Sequence, residues 1–279
     1  MATSDNSGKF KGNIGGLTYR IINGIAVIQT RPGPGTVKQT KATKASSVDF
    51  ALGSNRAKIL REILFPMIRG MQDNQMVNRL NKAVGDVIRS NSNLAPGYRD
   101  LEDGDLKLLD GFEFNRHSPF AKMFKAKLHL DQNYVEGIKV SMDAFNVQET
   151  ITFPEMASGC VLRILISAVS LTHNEYQHCG TAELDIPAKT DRVPPIVWSF
   201  INNLPENCLF IASCSLDFYE NGLFDSLSLN NKLLHPVALI GLMQGRDFEE
   251  QDPLPEDGTS NWNTWLPISG INGNKLRLG

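Results

Sequence analysis

The first fifty residues set the tightest limit on what this chain can become. Between Asp5 and Asp49 there is no acid, while Lys9, Lys11, Arg20, Arg31, Lys38, Lys41 and Lys44 supply seven bases. Within that stretch Leu17–Ile22 and Ile25–Thr30 flank Asn23-Gly24. Asn-Gly between alternating apolar residues is a strong hairpin signal, because a type I′ turn needs positive φ at both central positions. Arg31-Pro32-Gly33-Pro34-Gly35 follows, a bend that no compact core absorbs. The pattern predicts an extended basic arm over residues 1–45.

The register imposed by that turn puts Leu17, Tyr19, Ile21, Ala26 and Ile28 on one face. A two-stranded hairpin is marginal by itself in water. Burying one large side chain gains about 1.5–3 kcal/mol, so the face calls for a second surface. The Pro/Gly spacer and the polar stretch after it favour a surface on another subunit over one on the same domain.

The charge reverses at the other end. Residues 247–257 carry Asp247, Glu249, Glu250, Asp252, Glu256 and Asp257 with no base among them. Net charge over the 279 residues is only −2, so the whole molecule has no pull on nucleic acid or on an anionic membrane. Separate patches still act over about 8 Å, the Debye length at physiological salt. The acids of one copy are expected to meet Lys38, Lys41 and Lys44 of another. Trp262 and Trp265, close together in a polar tail over 244–279, read as anchors that pack on a surface.

Between arm and tail the periodicity changes twice. Over 46–92 apolar residues recur at three and four, predicting a helical hairpin capped by Ser46 or Ser47, its second helix starting near Asp73. Over 93–243 the pattern is β, with strands expected at 106–114, 123–130, 137–142, 149–153, 160–170, 181–186, 196–202, 208–219 and 236–243. Such a series without long helical interruptions predicts a mainly β protein with a small α segment. Its body would be an antiparallel β-sandwich, Ig-like or jelly-roll in outline.

Little in the sequence announces chemistry. Cys160, Cys179, Cys208 and Cys214 show no paired spacing and read as buried thiols. His173, Glu175, His178 and Cys179 crowd one segment, but without a second ligand pair they read as a solvated hairpin loop. Asp103, Asp105 and Asp110 lack calcium-loop spacing and read as turn residues. The stretch 8–16 has glycines and lysines but does not follow a strand and open a helix, as a phosphate cradle would. No catalytic motif, metal site or cofactor is expected, and the chain is not read as an enzyme.

Two other classes stay open at this point. The basic arm suits a nucleic-acid binder, and Trp198, Tyr176 or Trp262 could serve a ligand- or carbohydrate-binding module. No run is long and apolar enough for a membrane span, and the N-terminus lacks the apolar stretch of a secretory signal. Synthesis in the cytoplasm is therefore expected, with a place in a virion or released assembly as one destination.

Gly12, Gly15, Tyr19 and Asn23-Gly24, the Pro-rich bend, Thr-Lys-Ala-Thr-Lys and Leu109–Asn115 together resemble an uncharacterised protein family of Bacteroidota. The resemblance covers about the first 120 residues. It implies a glycine-rich arm, a helical middle and a β-sandwich-like C-terminal part, and carries no activity. The leading expectation is a structural subunit of a homopolymer or particle, a filament or a virion component. Its arm hairpin would add to, or lie across, an exposed sheet of the next copy by strand addition, the partners being other copies of itself.

Overall fold

The computed structural model describes residues 2–4, 8, 10–22, 25–33, 38–133, 137–200, 208–245 and 266–268. The chain divides into two compact units, Met1–Lys44 and Ala45–Gly279.

Unit 1 is a four-stranded antiparallel meander, β1 (Ala2–Ser4), β2 (Phe10–Ile14), β3 (Leu17–Ile22) and β4 (Ile25–Thr30), in that spatial order. The hairpin read from Asn23-Gly24 is its last half. The glycine-rich stretch ahead of it is also sheet. Phe10, Gly12 and Ile14 alternate with Lys11 and Asn13 as a strand requires. Gly15 then turns the chain into β3 with a positive φ of 56°.

The helical segment begins with α1 (Lys41–Ile63). Thr40 starts it, its hydroxyl accepting the Thr43 N–H at 3.2 Å. Ser46 and Ser47, the expected caps, therefore lie inside the helix. Pro66 opens the one-turn α2 (Phe65–Ile68), and α3 (Met76–Ser90) carries the second apolar stripe. Leu52, Ile59, Leu60 and Ile63 of α1 and Leu80, Val84, Val87 and Ile88 of α3 belong to one cluster with Leu165, Leu209, Ile211 and Leu239 of the sheet described next. The helices thus cover a β face instead of standing apart.

Beyond Leu106–Leu109, a short 3-10 turn, come α4 (Phe120–Met123), β5 (Leu128–Asn133), β6 (Gly137–Met142), β7 (Phe145–Asn146) and α5 (Val147–Thr150). Then follow β8 (Gly159–Ser170), β9 (Glu175–Pro187), β10 (Arg192–Val193), β11 (Ile196–Phe200) and β12 (Leu209–Asn221). The last are β13 (Ser226–Ser228), β14 (Val237–Gln244) and β15 (Leu266–Pro267). Strand content of 42% against 24% helix makes the chain mainly β, and every strand pair among the described residues is antiparallel.

The large sheet runs β13-β12-β8-β9-β15, with β14 also on β12. Its central strands are buried on both sides. Leu209 and Ile211 face the helices. Phe210 and Ala212 pack with Ile138, Val140 and Phe200 from the three-stranded sheet β11-β6-β5. With β11 against β9 and β5 against β14, the sheets curl into a half-barrel.

Three expected strands are replaced or shifted. At 106–114 the Asp105 carboxylate accepts the Lys107 N–H at 3.1 Å and fixes the 3-10 turn, and Gly111 then takes φ +69°. At 149–153 the Asn146 side chain caps α5 by accepting the Gln148 N–H at 3.0 Å. At 123–130 α4 occupies the first position and the strand begins at Leu128.

Gly104 sits hard against α3. A Cβ there would lie 2.1 Å from the Val87 carbonyl oxygen, and that oxygen belongs to backbone that cannot swing away. Gly104→Ala is expected to cost about 1–3 kcal/mol, as overpacking does, read as a lower denaturant midpoint at unchanged slope.

Candidate functional site

Unit 1 is a single layer of sheet, and a single layer has nothing of its own to bury its faces against. None of its described residues is buried. The register pairs Ile14 with Leu17, Gly12 with Tyr19, Tyr19 with Ile28 and Ile21 with Ala26. Paired residues share a face, so Leu17, Tyr19, Ile21, Ala26 and Ile28 lie together, joined by Phe10 and Ile14 of β2. The Phe10 and Tyr19 rings meet edge-on with centroids 5.9 Å apart. The reverse face carries Lys11, Asn13, Thr18, Arg20 and Gln29. One side is an apolar plate and the other is polar over most of its length, with Val27, Ile22 and Ile25 as its apolar members. Sequence reasoning missed Phe10 and Ile14; their alternation about Lys11, Gly12 and Asn13 was the available signal.

Lys41 and Lys44 lie in the first turn of α1 and Lys38 just before it, all three exposed. That turn contains no acid, and among the described residues the lysines form no ion pair. Cations at a helix N-terminus oppose its dipole, by about 0.3–1 kcal/mol each. An anion beside this end of α1 would offset that cost. Asp247, Glu249, Glu250, Asp252, Trp262 and Trp265 lie outside the described residues.

Unit 2 holds polar clusters, and its described ones are tied up internally. Asp217 Oδ2 accepts from Arg163 Nε at 2.7 Å and from Arg69 Nη2 at 2.9 Å, and Arg163 also pairs with Glu183. His235 is 1% exposed. Its Nε2 meets the Met67 carbonyl at 2.7 Å, and a carbonyl only accepts, so Nε2 holds the proton. Nδ1 then accepts from the Asn230 amide at 2.8 Å. Both ring nitrogens are occupied, so this imidazole is no free base.

Burial pushes His235 below its ordinary value, the Met67 bond and Asp217 opposing only in part, and burial does the same to His178. An unfolded histidine titrates near about 6.5, so below that pH the unfolded chain binds protons that the folded one refuses. Their contribution is fully in place above that value and is lost as pH falls beneath it. The unfolding temperature is therefore expected to drop between about pH 7 and 5, with a shallower slope in His235→Gln.

The other candidates resolve in the same way. None of the four cysteines forms a disulfide. Burial pushes the Cys160, Cys179 and Cys208 thiols up to about 12 and Cys214 well up too, which leaves no thiolate nucleophile at neutral pH. The segment expected as a loop at 173–179 is mostly strand: β9 starts at Glu175, and His178 Nδ1 lies 3.0 Å from Ser167 Oγ. His173 Nδ1 bonds Ser170 Oγ at 2.9 Å. Among the described residues no three His, Cys, Asp or Glu are placed to hold a metal ion. Asp103 accepts the Asp100 N–H at 2.7 Å, a turn bond. Trp198 and Tyr176 are partly buried and pack against the cores.

An open groove of about 630 Å³ lies between α3 and residues 111–119, lined by Arg79, Lys82, Asp86, Glu113 and Arg116. Its charges are mixed and partly committed. Arg79 pairs with Asp73, donates to the Glu113 carbonyl at 2.7 Å and stacks over Phe112 at 5.2 Å. The Glu113 carboxylate, raised by burial, accepts the Phe120 and Ala121 N–H groups at 2.7 and 2.9 Å. No described helix is long and apolar enough to cross a membrane.

No family model matches the chain, and no curated protein is significantly similar to it. Among the described residues Phe10, Ile14, Leu17, Ile21 and Ile28 of the plate are all exposed.

Proposed function

We propose that this chain is a structural subunit of a self-assembling homopolymer or particle, of filament or virion type, and that unit 1 is its connector. The role is mechanical and not catalytic. The observation that carries the reading is the apolar plate: large side chains on one face, polar ones on most of the other, and none of the described residues buried. Exposed apolar faces of this kind mark interaction sites. In the assembly the plate lies on the body of the next subunit, which is proposed to be a two-sheet sandwich with helices on its outer face. Such head-to-tail contacts are heterologous and propagate into rings or open fibres.

Ile14→Asp with Ile21→Asp tests it, both on the plate and neither on β4. Each loses about 1.5–3 kcal/mol of burial, so association is expected to weaken at least about a hundredfold. Lys11→Glu with Arg20→Glu on the reverse face should leave particle size unchanged. Equal behaviour of the two pairs would refute the plate as the contact.

A second element is ionic. The lysines before and within the first turn of α1 are proposed to receive the acids of 247–257 from another copy. In about 1 M salt the screening length shrinks to about 3 Å, and assembly is expected to loosen without dissolving. Indifference to salt would remove the ionic element and leave the plate.

A further inference from the structure

We propose that β4 is a two-fold docking edge, on which β4 of a second copy pairs antiparallel and fuses two arm sheets into one. This deepens the reading above and rests on it, since unit 1 remains the connector. The plate supplies burial in that reading; the edge supplies a second, symmetric contact.

The two edges of the unit 1 sheet differ. β1 is three residues long, which leaves little ladder to offer, whereas β4 has six. Proteins blunt exposed edges with charge, proline or bulges. Ile25-Ala26-Val27-Ile28-Gln29-Thr30 contains none of these, and its register with β3 is unbroken. Pro32 stops the edge only after the strand has ended.

The hydrogen-bonding direction is fixed by the neighbouring turn. The Arg31 N–H donates to the Gly16 carbonyl at 2.7 Å, so residue 31 bonds inward, toward β3. Bonding alternates along an antiparallel strand. Val27 and Gln29 therefore also bond inward, and Ala26, Ile28 and Thr30 turn their N–H and C=O groups to the free edge. Among the described residues β4 has no neighbour on that side.

A second copy of this chain fits that edge by parity. Residues paired across a ladder share a face, so antiparallel self-pairing must join residues of the same parity. Centring on Val27 sets it opposite its own counterpart, with Ala26 opposite Ile28 of the other copy. Ala26 and Ile28 are two of the three residues whose outward groups are free, and in this register each meets the other twice, so the pairing makes roughly four main-chain hydrogen bonds. It also places both apolar plates on the same side.

Area gives an independent reason. One plate spans about four strands at ~4.8 Å by a length of ~17 Å, roughly 330 Å². A stable interface takes about 800 Å² per partner. Fusing two sheets doubles the plate to roughly 650 Å², close to what the docking contact needs.

The test is disulfide trapping in the full-length chain. Residues facing each other at a non-hydrogen-bonded antiparallel position have Cα atoms about 4.5 Å apart, within disulfide range. Oxidised Val27→Cys is expected to run on a non-reducing gel as a covalent dimer, twice 30.9 kDa. Gln29→Cys, which would face Ile25 of the other copy, and the unsubstituted chain should stay single. Ala26→Pro removes an outward N–H, a place where an edge strand tolerates proline, and introduced beside Val27→Cys it should cut the cross-link at least tenfold. No cross-link in Val27→Cys, or equal cross-linking in Gln29→Cys, overturns the two-fold edge. If particles still form in that case, only the edge has failed. If they ignore Ile14→Asp with Ile21→Asp, the plate reading itself has failed.

Discussion

Removal of residues 1–36 is expected to leave a chain that folds, melts cooperatively and no longer assembles. The reason lies in where burial occurs. Every member of the three core clusters lies at Leu52 or later, and no described residue of unit 1 is buried. The cut takes away the whole four-stranded sheet but spares Thr40 and the lysines at the start of α1. Helix α1 keeps its cap and its packing face. What disappears is a plate of large apolar side chains worth about 1.5–3 kcal/mol each when covered. Losing even three of them weakens association by more than about a thousandfold. Unchanged particles after truncation would mean that unit 1 is not the connector.

Asp100→Ala is expected to be the most damaging single change within unit 2, costing about 3–5 kcal/mol. Arg56 Nε donates to Asp100 Oδ1 at 2.8 Å and Nη2 to Oδ2 at 2.5 Å. The side chains are 10% and 2% exposed. The same carboxylate accepts the Leu101 N–H at 2.7 Å and so fixes the chain after α3. Truncation strands a guanidinium where water does not reach, and the unfolding temperature should fall by roughly 6–20 °C for a unit of this size. Arg56→Met combined with Asp100→Leu removes both charges together and should recover most of that loss. A double variant as unstable as the single one would show that the pair contributes by its own attraction and not by mutual neutralisation.

The long elements of the fold were legible because periodicity alone decides them. β8 and β12 are apolar on both faces, as strands between packed layers must be, and α3 repeats its apolar residues at helical spacing. Short elements were not legible. The 3-10 turn at 106–109 and α5 are each set by one side chain, Asp105 and Asn146, capping one backbone N–H. A single hydrogen bond leaves no period to read. The docking of the helices on the large sheet was hidden for another reason: an amphipathic stripe says that a face is buried, not against what. In the arm the Asn23-Gly24 signal fixed β3 and β4 in register with five plate residues. The flanking glycines disguised β2, so Phe10 and Ile14 went unread.

The most direct measurement is the light-scattering mass of the intact chain across concentration. The account predicts masses that are multiples of 30.9 kDa and rise with concentration, falling to no more than the two-chain value in Ile14→Asp with Ile21→Asp. A single-chain mass at every concentration tried would contradict it.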